Sequence, residues 1–435
     1  MRSLFLVALL LIPRLGLAET KLTLDQVIAK AVANPRVQMA EQDREAAAAR
    51  VDESDALRYP RIKATAFATI SPKITCDDAN CLQTSPQNFA FRFSGLFGGA
   101  ELDITQPLYT FGKIAHARAA ARSGLDAQTA LADEAAGDAA SDAARAYWNL
   151  KLTRELGGML DDGIEQIDGA KKHFDENKSI TINDRQRAAV LLATAKAQRA
   201  DAAQGEAQAL AGLRAITGQA DADIDDKELA QIEHVLPASK DLAVERRPQR
   251  VAARSGATAA DELAALEHSN FFPDIALVGS ALISGAQGVD DPPSVFANDP
   301  YNREGAGLVL GLQWTIEPWN VKARLDRARA DAHKMHAQAE LAEIGARYDG
   351  DTALAEATAA RDKVTASAEG EKAARAWLAA VLQNEAIGTA ESRDLVDAYV
   401  AWFQLRAQWA AAVVNFNVAV VRLGRATGEF RARPR

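Results

Sequence analysis

The sequence predicts a mostly helical chain that also contributes strands to a membrane β-barrel, built from one unit that occurs twice. Long Ala-rich heptad runs predict the helices, and short alternations of apolar and polar residues predict the strands. Recurring landmarks predict the duplication: Asp184 lies 34 residues before Gly218, and Asp394 lies 34 residues before Gly428. We therefore infer a repeated unit of about 210 residues.

Residues 1–18 have the pattern of a secretory signal peptide. Arg2 supplies a positive charge, residues 4–12 form an unbroken apolar run, and Gly16-Leu17-Ala18 is a small-x-small cleavage site. The apolar run is too short to span a bilayer, and no later segment reaches the length of a transmembrane helix. We expect an exported protein.

Charge and cysteine content narrow the possible partners and ligands. The formal net charge of −9 argues against nucleic acid as a partner. The two cysteines, Cys76 and Cys81, lie in a polar loop and are expected to form a local disulfide in an oxidising compartment. His333 and His336 share a helix face, but two histidines without further ligands more often mark a solvated surface. We therefore expect neither a metal nor a cofactor.

The first predicted repeat spans residues 19–218 and begins with short helices. Apolar and polar residues then alternate, which predicts strands over about 61–71 and 89–106. Long helices are predicted over about 112–217. A helix of some sixty residues is about 90 Å long and needs a neighbour to pack along rather than a compact core.

An acidic connector, residues 219–247, is predicted to lead into the second repeat, residues 248–428, and a tail of 429–435 follows. Here strands are predicted over about 274–285 and 304–317, and long helices over about 320–427. Asn320 occupies the place of Gly112 in the first repeat and is expected to take the same left-handed turn conformation. Four strands cannot close a barrel and open edges are not tolerated in lipid, so several chains must contribute.

The turn between the last two predicted helices leads into a heptad seam. Its apolar positions recur in alternating steps and predict a helix packed along a neighbour; they are Leu395, Tyr399, Trp402, Trp409, Val413, Phe416, Val420 and Leu423, with Arg406 in the one missing slot. Asp394 and Asp397 project from roughly one side of the first turn of this helix. An alternative interpretation is that these two acidic residues only offset the helix dipole and have no further role.

Several short motifs follow one another along the chain: Leu22-Thr23-Leu24 with Asn34-Pro35, Tyr59-Pro60-Arg61-Ile62, Gln106 to Gly112, Ala146-Tyr147-Trp148, Leu213 to Gly218 and Gly388-Thr389. With these motifs the chain resembles the outer membrane efflux proteins of the TolC family over essentially all of the mature sequence. The resemblance implies a homotrimer in the cell outer membrane, with a twelve-stranded barrel continuous with a periplasmic α-helical tunnel. It implies an exit duct that a periplasmic adaptor joins to an inner-membrane pump or a type I secretion system.

The resemblance also implies roles for residues at the predicted helix turns. Acidic rings narrow the periplasmic end of the tunnel in this family, and the matching positions are Asp394 and Asp397. Three copies of this pair around a narrow axis would attract cations and repel anions. The turns are where adaptors are expected to dock, and the residues concerned are Lys178, Asp184, Gly388 and Thr389. Lys178 departs from the family, which often has glycine at this position.

Two other classes of protein compete with this interpretation. An enzyme is not supported, because the sequence contains no Gly-rich phosphate loop, nucleophile elbow or other catalytic constellation. A periplasmic coiled-coil adaptor or scaffold of an export complex would explain the heptads and the export signal. It would not explain two strand pairs with an apolar face, so the duct remains the favoured hypothesis.

Overall fold

The structure, a computed structural model, describes residues 20–73, 93–176, 181–238, 244–289, 301–386 and 392–429. Within them the helices are α1 (Leu24–Val32), α2 (Pro35–Ala56), α3 (Lys113–Glu176), α4 (Ile182–Thr217), α5 (Pro248–Ser269), α6 (Pro318–Ala386) and α7 (Ser392–Ala426). The strands are β1 (Thr20–Leu22), β2 (Arg61–Pro72), β3 (Phe93–Tyr109), β4 (Ala222–Ile224), β5 (Asp274–Ala286) and β6 (Arg303–Gln313). The mostly helical fold predicted from the sequence is confirmed.

The larger sheet has the strand order β2-β3-β5-β6, and every neighbouring pair is antiparallel. Strands β2 and β3 form the hairpin of the first repeat, and β5 and β6 form that of the second. Pairing of β3 with β5 joins the two hairpins into one sheet. Strands β2 and β6 are therefore its edges, each paired on one side within the described residues.

Two strands end elsewhere than the sequence predicts. Strand β3 continues past residue 106 to Tyr109, with a register shift between Pro107 and Tyr109. Proline has no N–H to donate to the ladder, so the shift lets the strand pass it. Strand β6 ends at Gln313 rather than at 317, because its partner strand begins at Asp274, which pairs with Gln313.

The junctions from sheet to long helix differ between the repeats. In the first, Phe111 and Gly112 both have positive φ, 48° and 92°, and they turn the chain into α3. In the second, the prediction of a left-handed Asn320 is wrong. Pro318 opens α6, Asn320 is helical, and its side chain donates to Glu317 Oε2 at 3.3 Å. The fixed φ of proline favours the first helical position, which makes a left-handed turn unnecessary.

The described chain divides into two compact units. The sheet unit lies within residues 45–127 and 253–339 and contains the four-stranded sheet. The helical unit lies within residues 1–44, 128–252 and 340–435. Its core combines small residues, such as Ala136 and Ala143 on α3, with a few large ones, such as Phe416 on α7, all at most 1% exposed. Small side chains let helices approach closely, whereas the large ones fix their register.

The predicted seam of α7 packs as expected. Leu395, Val413, Phe416 and Leu423 are all buried. Arg406, the polar residue of the seam, donates from Nη2 to Glu155 Oε1 of α3 at 2.7 Å and lies 3.8 Å from Glu371 of α6. The seam therefore contains one cation held between carboxylates from two neighbouring helices.

The connector between the repeats packs into the helical unit. Strand β4 pairs in parallel with β1, and Ile224 is 1% exposed. Asn417 of α7 is fully buried; its Oδ1 accepts from Ile232 N at 2.8 Å, and its Nδ2 donates to Ala230 O at 2.9 Å. One side chain of the second repeat thus supplies hydrogen-bond partners to one backbone N–H and one backbone carbonyl of the connector.

We expect Asn417→Ala to destabilise the protein by about 2–4 kcal/mol, because it leaves two backbone groups of the connector without partners in a buried place. The measurement is denaturant unfolding of the purified full chain in detergent. Gln404→Ala, an exposed change on the same helix, is the control and should stay within about 0.5 kcal/mol. Equal stability of the two variants would show that Asn417 does not anchor the connector.

Candidate functional site

The predicted acidic pair lies at the start of α7. Asp394 and Asp397 are both exposed, and Asp394 is in the first turn of the helix. Arg393 Nε lies 3.7 Å from Asp397 Oδ2, and both side chains are more than half exposed, at 64% and 58%. An exposed pair of this kind contributes little to stability. Both carboxylates are therefore accessible to water and ions in the single chain.

Asp184 lies in the first turn of α4 and is engaged in capping that helix. Its backbone N–H donates to Thr181 Oγ1 at 3.2 Å, and the Thr181 hydroxyl donates to Asp184 Oδ2 at 2.6 Å. Arg393, near the start of α7, pairs with Asp397 on its own helix. The structure thus gives Asp184 a role in capping α4.

Other predicted features lie outside the described residues. They are the signal peptide of residues 1–18, the disulfide of Cys76 and Cys81, and the turn residues Lys178, Gly388 and Thr389. The remaining candidates for function come from the sheet unit and from the polar groups of the helical unit.

One face of the larger sheet is apolar across all four strands. The pairing register places on it Ile62, Ala64, Ala66, Ala68 and Ile70 of β2, Leu96, Gly98, Ala100, Leu102 and Ile104 of β3, Ile275, Leu277, Gly279, Ala281 and Ile283 of β5, and Ala306, Leu308, Leu310 and Leu312 of β6. Many of these side chains are exposed: Leu308 is 71%, Leu310 68% and Ile62 64% exposed. An exposed apolar surface of this extent marks a site of contact with lipid or protein.

The opposite face is mainly polar. It carries Arg61, Lys63, Thr65 and Thr69 of β2, Glu101, Asp103 and Thr105 of β3, Asp274, Ser280 and Ser284 of β5, and Arg303 and Gln313 of β6. Lys63 and Asp103 are direct cross-strand partners, an arrangement that stabilises a sheet. Sequence analysis identified the alternation within each hairpin. The continuity of both faces over four strands depends on the long-range β3–β5 pairing, which has no local sequence signal.

A buried polar cluster in the helical unit was not predicted from the sequence. Tyr147 OH donates to Asp225 Oδ1 at 2.7 Å, and Lys151 Nζ lies 2.9 Å from the same oxygen. Lys151 also donates to the backbone oxygen of Lys227, so the cluster ties the connector to α3. Tyr147 and Lys151 are spaced like any helix neighbours, and no signal in the sequence marks Asp225 as their partner.

The environment shifts the pKa of two groups in this cluster. Burial, together with the hydrogen bond to Asp225, raises the pKa of the Tyr147 phenol, which stays neutral. Burial also acts to raise the pKa of the Asp225 carboxyl, but hydrogen bonds from Lys151 and Tyr147 outweigh it, and that pKa lies below its ordinary value. The cluster is therefore an ionised pair with a neutral donor, suited to holding the connector and not to proton transfer near neutral pH.

Two kinds of site are absent from the part of the chain that the structure describes. No helix there combines the length and apolar character needed to cross a bilayer. Among the same residues, no group of three or more His, Cys, Asp or Glu side chains is arranged to hold a metal ion.

Comparison with known protein families finds a match over the second half of the chain. Residues 240–429 match the family model described as outer membrane efflux protein. This part of the chain resembles the outer membrane efflux proteins. The resemblance to the TolC family inferred from the sequence motifs is confirmed, and none of the curated proteins matches the chain.

Solved structures of outer-membrane proteins share the fold of nearly the whole chain. The outer-membrane channel OprN has a TM-score of 0.77 at 20% identity, over 93% of this chain and 89% of that one. The open-state MtrE outer membrane channel of Neisseria gonorrhoeae has a TM-score of 0.75 at 20% identity, over 93% and 88%. The outer membrane protein VceC of Vibrio cholerae has a TM-score of 0.73 at 18% identity, over 93% and 96%. This chain has the mostly helical fold of outer-membrane efflux channels.

We expect Asp225→Asn to cost about 3 kcal/mol of stability at neutral pH, because it leaves the buried Lys151 ammonium without its counter-charge. The pKa of Asp225 is lower in the folded chain, so its contribution is complete above the unfolded-state pKa of about 3.9. It is lost as the pH falls through the lower pKa of the folded state. Denaturant unfolding between pH 7 and pH 3 measures this.

The difference between the native chain and Asp225→Asn should shrink on acidification below about pH 4. Asp226→Asn is the matched control, because the Asp226 side chain is 72% exposed and pairs only with the exposed Lys21 among the described ion pairs. A difference that stays constant down to pH 3 would mean that the charge of Asp225 does not stabilise the fold.

Proposed function

We propose that this protein is the outer-membrane exit duct of a tripartite efflux pump or type I secretion system, a channel rather than an enzyme. It passes substrates from the periplasmic side to the exterior. The observation that carries the proposal is the larger sheet, with an exposed apolar face across four strands and a polar face behind it. The family match of residues 240–429 and the fold of the chain support the same function.

The two faces of the sheet suit a barrel wall in lipid. Strands of 12, 17, 13 and 11 residues are long enough to cross a bilayer at a tilt. In membrane barrels the apolar side chains face lipid and the polar ones face the lumen. We place the apolar face of the sheet against lipid and the polar face along the duct.

The edges of the sheet support an assembly of several chains. Strands β2 and β6 each have one side unpaired within the described residues, and unpaired backbone groups are costly in hydrocarbon. Pairing of β6 in one chain with β2 in the next would remove every edge. Three chains would give the twelve-stranded barrel of a homotrimer, and the long helices would form a coiled periplasmic tunnel.

Aromatic side chains at the helix end of the sheet support the placement in a membrane. Four aromatic residues lie within two residues of a strand end and are between 41% and 57% exposed: Tyr59, Tyr109, Phe272 and Trp314. Exposed aromatic residues at this position are typical of the boundary between bilayer and water. We infer that this boundary is the periplasmic surface of the outer membrane.

The start of α7 is the proposed selectivity element. Asp394 and Asp397 are exposed, and their only ion pair among the described residues is the weak one with Arg393. In a trimer the pairs from three chains would surround the axis and form a negative constriction at the periplasmic end. The proposed contact for a periplasmic adaptor is made by Asp184 at the start of α4 and by three residues that follow α3 and α6 in the sequence: Lys178, Gly388 and Thr389.

The first test is where the protein is found. The native chain should fractionate with the outer membrane and require detergent for extraction, and cross-linking should trap a trimer. A folded, water-soluble protein would contradict the duct and favour the periplasmic adaptor.

We expect the reconstituted protein to form cation-selective pores in a planar bilayer. The double variant Asp394→Asn, Asp397→Asn removes six charges from a trimer, so its cation-to-anion permeability ratio should fall severalfold toward one. The double variant Asp52→Asn, Glu53→Gln is the matched control, because it neutralises two exposed carboxylates on α2.

The outcomes separate the duct from its constriction. Pores with equal selectivity in the native chain and in the Asp394, Asp397 variant would support the proposed duct and refute the acidic constriction. Absence of pores from folded, trimeric protein would refute the duct itself.

A further inference from the structure

An aromatic cluster lies on the polar face of the larger sheet, at the end of the strands away from the long helices. The rings of Phe67 on β2 and Phe97 on β3 meet edge to face, with centroids 5.1 Å apart. Phe97 meets Tyr301, just before β6, in the same way at 5.2 Å. Alternation along the strands otherwise gives this face mainly polar residues, so three adjacent rings need a specific explanation.

Packing against glycine explains only one of the rings. Phe67 is the direct cross-strand partner of Gly99, and a Cβ on that glycine would lie 3.0 Å from Phe67 Cζ. The ring therefore covers a position without a side chain, which is a known way of stabilising a strand. Phe97 and Tyr301 extend the aromatic surface beyond that glycine, and Phe67 is still 41% exposed.

A carboxylate lies beside this surface. Glu101 follows Gly99 by two residues on β3, so it is on the same face and is a diagonal neighbour of Phe67, with Cα atoms roughly 7–8 Å apart. Its direct partners across the strands are Thr65 and Leu282, which carry no charge. Glu101 is exposed and makes no ion pair with any residue that the structure describes.

The combination of ring faces and a free carboxylate is suited to one class of ligand. The face of an aromatic ring attracts a cation, and a tetraalkylammonium group is desolvated more easily than a metal ion. A nearby carboxylate adds charge attraction without requiring a donor on the ligand. Asp103, the other acid on this part of β3, has a cationic residue, Lys63, as its direct cross-strand partner.

We propose that Phe67, Phe97, Tyr301 and Glu101 form a binding site for organic cations on the polar face of the sheet. The site is contained in one chain. Its consequence for transport rests on the proposed function: if the polar face lines the duct, the site lies in the lumen, and organic cations are a class of cargo. A trimer would then present three such sites around the passage.

The test is binding of benzyltrimethylammonium to the purified full chain in a nonionic detergent, measured by titration calorimetry, with benzenesulfonate as an anion of similar size. Phe97→Leu keeps the apolar bulk but removes the ring, and we expect affinity for the cation to fall roughly three- to tenfold. Glu101→Gln should weaken binding by a similar factor. Glu304→Gln, a matched change on the apolar face, should leave the affinity unchanged.

Three results would overturn the proposal: equal affinity in Phe97→Leu, Glu101→Gln and Glu304→Gln, equal binding of benzenesulfonate, or no binding to the folded native chain. Neither key variant alters a backbone position with unusual φ, and circular dichroism with the native protein as reference verifies folding.

Conductance measurements then separate this site from the duct. We expect benzyltrimethylammonium to block the pore. If Phe97→Leu weakens this block and the double variant Asp394→Asn, Asp397→Asn does not, the site lies in the lumen. Binding without any pore would retain the site and refute the proposed function. Conducting pores with no binding would retain the function and refute the site.

Discussion

The sheet's unpaired backbone is the constraint on which the rest of the molecule depends. Four strands leave two edges, and one face of the sheet is apolar and exposed while the other is mostly polar. A single chain can satisfy neither the edge hydrogen bonds nor the apolar face. The long helices α3 and α6, of 64 and 69 residues, also expose apolar side chains, such as Leu131 on α3 and Leu341 on α6. Both elements are explained if the functional unit is an assembly in lipid.

The helical unit holds the two repeats together with few large side chains in its core. Alanine seams allow close packing but specify register weakly. Specificity comes instead from polar groups at single places: Arg406 between two carboxylates, Asn417 on the connector backbone, and the Tyr147–Lys151–Asp225 cluster. Each links elements that are far apart in the sequence. A polar group in a core costs free energy unless every partner is present, so these contacts penalise any alternative register.

Much of this fold could be predicted from the sequence because its signals are local. Alternation reveals β2 and β6 directly, and the heptads of α7 correctly identify Val413 and Phe416 as buried. The β3–β5 pairing and the anchoring of the connector could not be predicted, since they depend on residues distant in the chain. Asn320 was assigned wrongly because Pro318 offers a second way to begin a helix. Of the candidate site, the position of Asp394 and Asp397 at a helix start was predictable; a ring requires other copies, and the aromatic cluster requires the strand register.

The difference between the two sheet-to-helix junctions has a consequence for symmetry. The first repeat turns through a left-handed Phe111 and Gly112, where φ is positive, whereas the second enters its helix directly at Pro318. The two halves of the chain therefore differ where strand becomes helix. In a three-chain assembly the six helical hairpins would alternate between two kinds of joint, and the ring would be strictly threefold. A ligand or partner that contacts these joints would meet two non-equivalent surfaces in alternation.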